Sequence, residues 1–140
     1  RSLSSAASDV YKRQPLCWGS RKQKSIALSS CESEIVALSE AAKEVIYLRK
    51  FVRGLVPSLP DGPTVLSTDN KAARDLSYNP EHHDRSKHIA RRHFFIRDMV
   101  EAQEIVVPLV STDDNDADFF TKPLPPKRFK MLRRKVMNLR

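Results

Sequence analysis

The chain has 140 residues, a length that fits one domain with a buried core and is short for two. Its two cysteines form no CxxC pair and follow no secretory leader, which argues against a disulfide framework and predicts a reduced, intracellular protein. The net charge of +8 lies at one end, because residues 122–140 hold eight Lys and Arg and no acid. Such a block indicates either a solvated end or contact with a polyanion. No apolar run approaches the roughly 20 residues of a membrane span, so we expect no membrane partner.

Residues 1–14, RSLSSAASDVYKRQ, show no hydrophobic period and stop abruptly before Pro15. They resemble translated cloning or adapter sequence, a class of segment that is excluded from fold reasoning. We therefore treat them as a non-native leader. We expect the chain to lack the beginning of the native protein. The run KSIALSS at 24–30 is compatible with a first strand.

Ser29 and Ser30 precede an acidic first turn, the usual start of a helix. Apolar residues then recur at three- and four-residue spacing until Gly54 and Pro57. The spacing predicts a long amphipathic helix whose buried face carries Ile35, Leu38, Ala42, Val45, Leu48 and Val52.

After a Pro/Gly turn, TVLST at 64–68 predicts a short buried strand with Asp69 and Asn70 at its carboxyl end. KAARDLSY at 71–78 predicts a short helix. A second amphipathic helix is predicted from an apolar face formed by Ile89, His93, Ile96 and Val100.

EIVVPLV at 104–110 predicts a last strand, which must be an edge or contain a bulge because Pro108 cannot donate a hydrogen bond. The acid-rich loop STDDNDADFFT and the basic tail follow. The order strand, helix, strand, helix, helix, strand, helix predicts an α/β domain with parallel pairing.

The histidines do not form a zinc pattern. His83, His88 and His93 recur at five-residue steps, which on a helix turns each about 140° from the last. Solvent, capping or nucleic-acid contacts explain them better.

Carboxylates follow each predicted strand, where open α/β sheets place their active groups. Glu32 and Glu34 follow the first strand, Asp69 the second and Asp113–Asp118 the third. Carboxylates without a thiol or imidazole cluster suit Mg²⁺ or Mn²⁺, and two such ions about 4 Å apart can cleave a phosphodiester. Each group also has a simpler interpretation: helix-dipole acids for Glu32 and Glu34, a turn or N-cap for Asp69-Asn70, and a solvated loop for Asp113–Asp118.

Four motifs stand in the order seen in copia-type retrotransposon polyproteins: ALSSCESEIVALSEAAKEVIYLRK, STDNKAA, HHDRSKHIARRHFFIRD and DADFFTKPLP. The chain from Pro15 to Met137 resembles the ribonuclease H domain that follows the reverse transcriptase in such polyproteins. The resemblance implies an α/β, ribonuclease H-like fold that lacks its first two strands. Residues 15–126 would form this partial domain, and residues 127–140 a basic C-terminal tail.

The resemblance also implies a chemistry, which is hydrolysis of the RNA strand of RNA–DNA hybrids by two Mg²⁺ (or Mn²⁺) ions. Glu34 fits the family's E-x-x-A setting and becomes the metal ligand, with Glu32 as the alternative. Asp69 and Asp118 match two further ligands. Contacts to the hybrid backbone are expected from Ser30, Asn70, Lys87 and His88.

The chain departs from the family pattern in three places. The family's first Asp has no counterpart, which implies that this fragment is inactive alone and that its first strand has lost its partner. The K-H-I-D motif ends in Ala90, and the loop before Asp118 lacks the His of many cellular relatives.

Two other functions remain open. One is a non-catalytic nucleic-acid-binding remnant of a degenerate element, and the other is a helical interaction module with an incidental basic tail. The family implies the reverse transcriptase of the same polyprotein as a partner, and a cytoplasmic virus-like particle or the nucleus as location.

Overall fold

A computed structural model describes residues 2–8, 15–23, 27–58, 62–79 and 87–138, with the backbone alone for 2–8, 15–18, 21–22 and 87–89. The chain divides into two compact units. We call Ala27–Thr112 the central unit, and Arg1–Ile26 with Asp113–Arg140 the terminal unit. In chain order the elements are β1 (Ser2–Ser8), β2 (Pro15–Lys22), α1 (Ser30–Leu55), β3 (Thr64–Val65), α2 (Lys71–Tyr78), α3 (Lys87–Glu101), β4 (Ile105–Val106), a 3-10 turn (Thr112–Asp114), α4 (Asp118–Thr121) and α5 (Pro126–Val136).

The helix α1 begins and ends where its sequence predicts. Ser29 is the N-cap, and its hydroxyl accepts a hydrogen bond from the Glu32 backbone N–H. The helix stops at Leu55, one residue after Gly54, and the Val56 N–H closes it on the Val52 carbonyl. Of the predicted apolar face, Ile35, Leu38 and Ala42 are buried, whereas Val45, Leu48 and Val52 in the second half of the helix are only partly buried.

The core of the central unit lies between α1, α2, α3 and the short sheet. Its buried members are Ile35, Leu38, Ala42, Ala73, Ile96, Val100, Ile105 and Val107. Ile96 and Val100 confirm the predicted buried face of α3, whereas the side chain of Ile89 lies outside the described residues. Packing of these apolar faces supplies most of the stability of such helices, because isolated short helices are marginal in water.

The sheet of the central unit is parallel, as the element order predicts. Thr64 and Val65 of β3 pair with Ile105 and Val106 of β4. Pro108 lacks the N–H that would continue the ladder, and pairing resumes at an isolated bridge between Thr68 and Leu109. The Pro108 carbonyl still accepts a hydrogen bond from the Thr68 N–H at 3.1 Å. The proline thus explains why β4 is only two residues long.

The first strand differs from the prediction. Ala27–Ser29 are not in a strand, Ser30 begins α1, and residues 24–26 lie outside the described part. The strand before α1 is instead β2, which pairs antiparallel with β1 over Ser2–Ser8. Strand backbone groups need a hydrogen-bonding partner, and here residues of the presumed leader provide it. The strand expected to lack a partner was the run at 24–30, so the pairing of β1 with β2 does not bear on that expectation.

The basic tail contains an ordered helix, α5, rather than only a solvated end. Leu132 is buried with 1% of its surface exposed, and the ring of Phe129 stacks on Phe119 of α4 at 5.1 Å between centroids. Apolar and aromatic contacts therefore hold α5 within the terminal unit. No helix in the described part of the chain is both long and apolar enough to cross a bilayer.

Candidate functional site

Glu32 serves the start of α1. Its carboxylate accepts a hydrogen bond from the Leu28 backbone N–H at 2.7 Å, while its own N–H donates to the Ser29 hydroxyl at 3.1 Å. The residue is 5% exposed. This reciprocal arrangement resembles a capping box, and the negative charge also complements the positive end of the helix dipole. The helix-dipole interpretation of Glu32 is what the contacts support.

Glu34 lies in a different environment, although only one residue separates it from Glu32. Residues two apart on a helix point about 200° away from each other, so the two carboxylates leave α1 on different sides. Glu34 is partly exposed and is the fifth residue of α1, beyond the first turn. The capping contact is thus made by Glu32, and Glu34 remains the candidate metal ligand.

Asp69 lies at the carboxyl end of the parallel strand pair, one residue after the Thr68–Leu109 bridge. It is partly buried. The next residue, Asn70, is the N-cap of α2, because its side-chain oxygen accepts from the Ala73 N–H at 3.1 Å. The Asn70 N–H in turn donates to the Thr68 hydroxyl at 3.2 Å. The N-cap interpretation of Asn70 is confirmed, and the cap fixes the backbone on which Asp69 is presented.

Asp118 is 2% exposed and both of its carboxylate oxygens face cations. Oδ1 lies 2.8 Å from Lys122 Nζ, and Oδ2 lies 3.1 Å from Arg128 Nη2. Arg128 also reaches Asp113 at 3.2 Å, and Lys135 of α5 lies 2.8 Å from Asp116. Pairing compensates the cost of burying the Asp118 charge. Asp118 is thus a buried, ion-paired acid and Asp116 a partly buried one, whereas Asp113 pairs with Arg128 while 92% of its side chain stays exposed.

The candidate residues have the donor atoms that a divalent cation prefers, but the described part of the chain does not bring them together. Carboxylate oxygens are the donors that Mg²⁺ prefers. Within the described residues, however, no group of three or more His, Cys, Asp or Glu side chains is arranged to hold an ion. Asp118 already has two cationic partners, so a divalent ion at this carboxylate would compete with Lys122 and Arg128. Glu34 and Asp69 belong to the central unit and Asp118 to the terminal unit.

The remaining candidate residues are placed only in part. Ser30 is the exposed first residue of α1, and its carbonyl accepts from the Ser33 hydroxyl at 2.8 Å. Lys87 and His88 open α3, but their side chains lie outside the described residues. Ala90, at the position where the resemblance leads us to expect an acid, is partly buried.

Several supporting contacts were not found from sequence. Arg92 of α3 pairs with Glu40 of α1 at 2.8 Å, and Glu40 also contacts Lys43 at 3.0 Å. Burial by itself raises the pKa of Glu40, but the two cations outweigh it and hold the pKa below its usual value. The Glu40–Lys43 pair has the three-residue spacing that sequence can reveal, whereas Arg92 joins it only through tertiary packing.

Two further contacts join elements of the central unit, one from α2 to the segment after β4 and one from α3 to α2. The Tyr78 hydroxyl at the end of α2 accepts from the Val107 N–H at 2.9 Å. His93 of α3 bonds through Nε2 to the Leu76 carbonyl. Since a carbonyl can only accept, this nitrogen must carry the proton. His93 therefore has a structural role in the central unit.

Comparison with known proteins identifies relatives among mobile elements. The chain is 38% identical over 121 residues to the retrovirus-related Pol polyprotein from transposon TNT 1-94 of Nicotiana tabacum, covering 86% of this chain and 9% of that protein. It is 37% identical over 122 residues to the Pol polyprotein from transposon RE2 of Arabidopsis thaliana, covering 87% and 8%. A third relative, the transposon Ty1-NL2 Gag-Pol polyprotein of Saccharomyces cerevisiae, is 35% identical over 111 residues, covering 76% and 6%.

The homologues are thus retrotransposon Pol polyproteins, and the chain spans less than a tenth of the length of each of these three. No family model matches the chain. No solved structure matches it either.

Proposed function

We propose that this chain is a segment of a retrotransposon Pol polyprotein, drawn from a ribonuclease H region that hydrolyses the RNA strand of RNA–DNA hybrids. The homologous polyproteins and the four ordered motifs support this assignment. The observation that carries it is the position of Asp69, a carboxylate at the carboxyl end of a parallel strand pair and directly before a capped helix. This is where α/β folds place groups that act on ligands.

Two caps fix the backbone that carries the proposed metal ligands Glu34 and Asp69. The Glu32 cap fixes the first turn of α1 and with it the backbone that carries Glu34. The Asn70 cap fixes the strand-to-helix junction at Asp69. Glu34, Asp69 and Asp118 would hold the divalent ions, which when bound supply an activated water and stabilise the leaving oxygen.

Recognition of the hybrid would rest on its shape, phosphates and 2′-hydroxyls rather than on base edges, because an A-form major groove is too narrow to read. Ser30, Asn70, Lys87 and His88 are the residues proposed for these contacts. Since the first Asp of the family has no counterpart, we expect this chain alone not to cleave. The reverse transcriptase of the same polyprotein is the proposed partner, in a cytoplasmic particle or in the nucleus.

A second function, a nucleic-acid-binding remnant without catalysis, is favoured by one observation. Both oxygens of Asp118 are already paired with cations of the same unit. A degenerate domain in which Lys122 and Arg128 permanently neutralise this carboxylate would bind nucleic acid and cleave nothing.

The test uses this chain and a version extended at its N-terminus to supply the family's first Asp. Each is incubated with a labelled RNA–DNA hybrid, in Mg²⁺ and in EDTA. Metal-dependent cleavage by the extended chain alone supports the proposal. An extended chain carrying Asp69→Asn serves as the matched control, since the substitution removes one charge at nearly constant shape. Hybrid binding without cleavage by either chain would leave the remnant as the function.

A further inference from the structure

The helix α5 has two charged faces with different partners. It carries six Lys and Arg and no Asp or Glu. Arg128 and Lys135 point to the acidic segment, where they pair with Asp113, Asp118 and Asp116. The other four are exposed and make no ion pair with any acid that the structure describes: Lys127, Lys130, Arg133 and Arg134.

Helical geometry separates the two groups. At 100° per residue, Arg128, Leu132 and Lys135 share one side of α5, and Leu132 is the buried residue of that side. We call this side the inner face. The opposite side, which we call the outer face, holds the four exposed cations. At 1.5 Å per residue these span about 10 Å along the helix axis.

Helix stability does not explain the outer face. Cations in the last turn favour the helix dipole, which accounts for Arg133 and Arg134. Lys127 is the second residue of α5, where a positive charge opposes the same dipole. The inner face is neutralised by three carboxylates, whereas the outer face has no described counter-charge. Four uncompensated charges on one side of an ordered helix form a surface suited to an anionic polymer.

We propose that the outer face of α5 binds the phosphate backbone of an RNA–DNA hybrid without reading its sequence, while the inner face holds the helix in the terminal unit. The proposal rests on the proposed function for its choice of nucleic acid. A strand of B-form DNA carries one phosphate per about 3.4 Å of helix axis, and on that spacing about 10 Å of cations covers at least about three phosphates. Arg and Lys are the side chains that make such contacts.

The experiment measures hybrid binding as a function of salt in EDTA, where no cleavage occurs. The outer-face variant carries Lys127→Gln, Lys130→Gln, Arg133→Gln and Arg134→Gln in the full chain. Gln has a helix propensity similar to that of Lys and Arg, so α5 should persist, which circular dichroism checks. We expect the slope of log K against log salt to become shallower by about three.

A matched control removes the same four charges from the central unit through Lys43→Gln, Lys50→Gln, Arg53→Gln and Arg74→Gln. We expect a much smaller change of slope in this variant. Equal changes in the two variants would overturn the proposal, because net charge alone would then explain the binding. An outer-face variant with the wild-type slope would also overturn it and make the outer face a solvated surface.

A membrane surface is tested with vesicles of phosphatidylserine and phosphatidylcholine. If the outer-face variant loses binding to vesicles but keeps its affinity for the hybrid, the proposal is wrong about the partner. The cleavage assay is independent, because it needs metal and an extended chain. If the extended chain does not cleave the hybrid but the outer-face variant shows a shallower salt slope, the nuclease proposal is refuted and the binding proposal stands. If the extended chain cleaves but the outer-face variant keeps the wild-type slope, the nuclease proposal stands and the binding proposal is refuted.

Discussion

Replacing Glu32 by Gln should destabilise the chain, whereas the same replacement at Glu34 should spare stability and remove metal-dependent cleavage from an extended chain. The two residues have the same side chain and nearly the same position in sequence. They differ in their contacts, because the Glu32 carboxylate accepts the Leu28 N–H at 2.7 Å inside the first turn. The pair of variants therefore separates the helix-capping role from the proposed metal role.

The magnitude follows from two lost interactions. A hydrogen bond to a charged acceptor contributes about 1 kcal/mol more than the neutral one that Gln would keep. The charge in the first turn contributes a further ~0.3–1 kcal/mol through the helix dipole. Glu32→Gln should thus lower the free energy of unfolding by about 1.5 kcal/mol. Glu34 lies beyond the first turn and is partly exposed, so Glu34→Gln should change it by less than about 0.5 kcal/mol.

Urea unfolding followed by circular dichroism measures both variants. With a urea dependence of about 2 kcal/mol per molar, the midpoint of Glu32→Gln should fall by about 0.7 M. Hybrid cleavage in Mg²⁺, measured on extended chains, supplies the second measurement. The reasoning is refuted if Glu34→Gln is the destabilised variant, or if Glu32→Gln loses cleavage while keeping its urea midpoint.

Three other predictions concern single carboxylates. Asp69→Asn in an extended chain should abolish hybrid cleavage and leave the circular dichroism spectrum unchanged, and retained cleavage would remove Asp69 from the proposed metal ligands. Glu40→Gln should cost at most ~1 kcal/mol at pH 7, because the pair with Arg92 is partly exposed. The pKa of Glu40 is lowered in the folded chain, so its contribution is fully present above the unfolded pKa of 4.5 and is lost as pH falls through the lower folded pKa. Urea midpoints of wild type and variant should therefore converge in acid, and a difference that grows in acid would contradict the sign. Asp118→Asn should lower the free energy of unfolding by about 2 kcal/mol, because it leaves two cations without their buried anion while both still reach solvent. An unchanged urea midpoint would show that these ion pairs do not hold α5.

Local rules predicted the helices of the central unit well. The caps at Ser29 and Asn70 and the apolar spacing of α1 depend on residues within a few positions of each other. The helix at Lys71–Tyr78 was predicted with its observed bounds for the same reason. Parallel pairing of β3 with β4 was also predicted, because two helical segments lie between them.

Long-range partners account for what the sequence did not predict. The run at 24–30 has β-compatible residues, but the pairing strand in Ser2–Ser8 belongs to a segment whose composition gave no structural signal. The charges of α5 form one block in sequence, and sequence alone does not predict that Arg128 pairs with Asp118. The preference for Glu34 over Glu32 as metal ligand came from the resemblance, and the observed contact with Leu28 adds a local capping partner for Glu32.

The parallel pair β3–β4 also determines when the candidate site is assembled. Thr64 and its partner Ile105 are about 40 residues apart in sequence, with α2 and α3 in between. Closing so long a loop lowers the entropy of the chain before the stabilising strand contacts form. Pairings between distant residues therefore slow folding. Helix formation takes about a microsecond, so we expect the turn around Glu34 to form before the strand end that carries Asp69. The position of Asp69 depends on the pairing of β3 with β4, so a nascent chain can acquire this corner of the candidate site only after β4 has been synthesised.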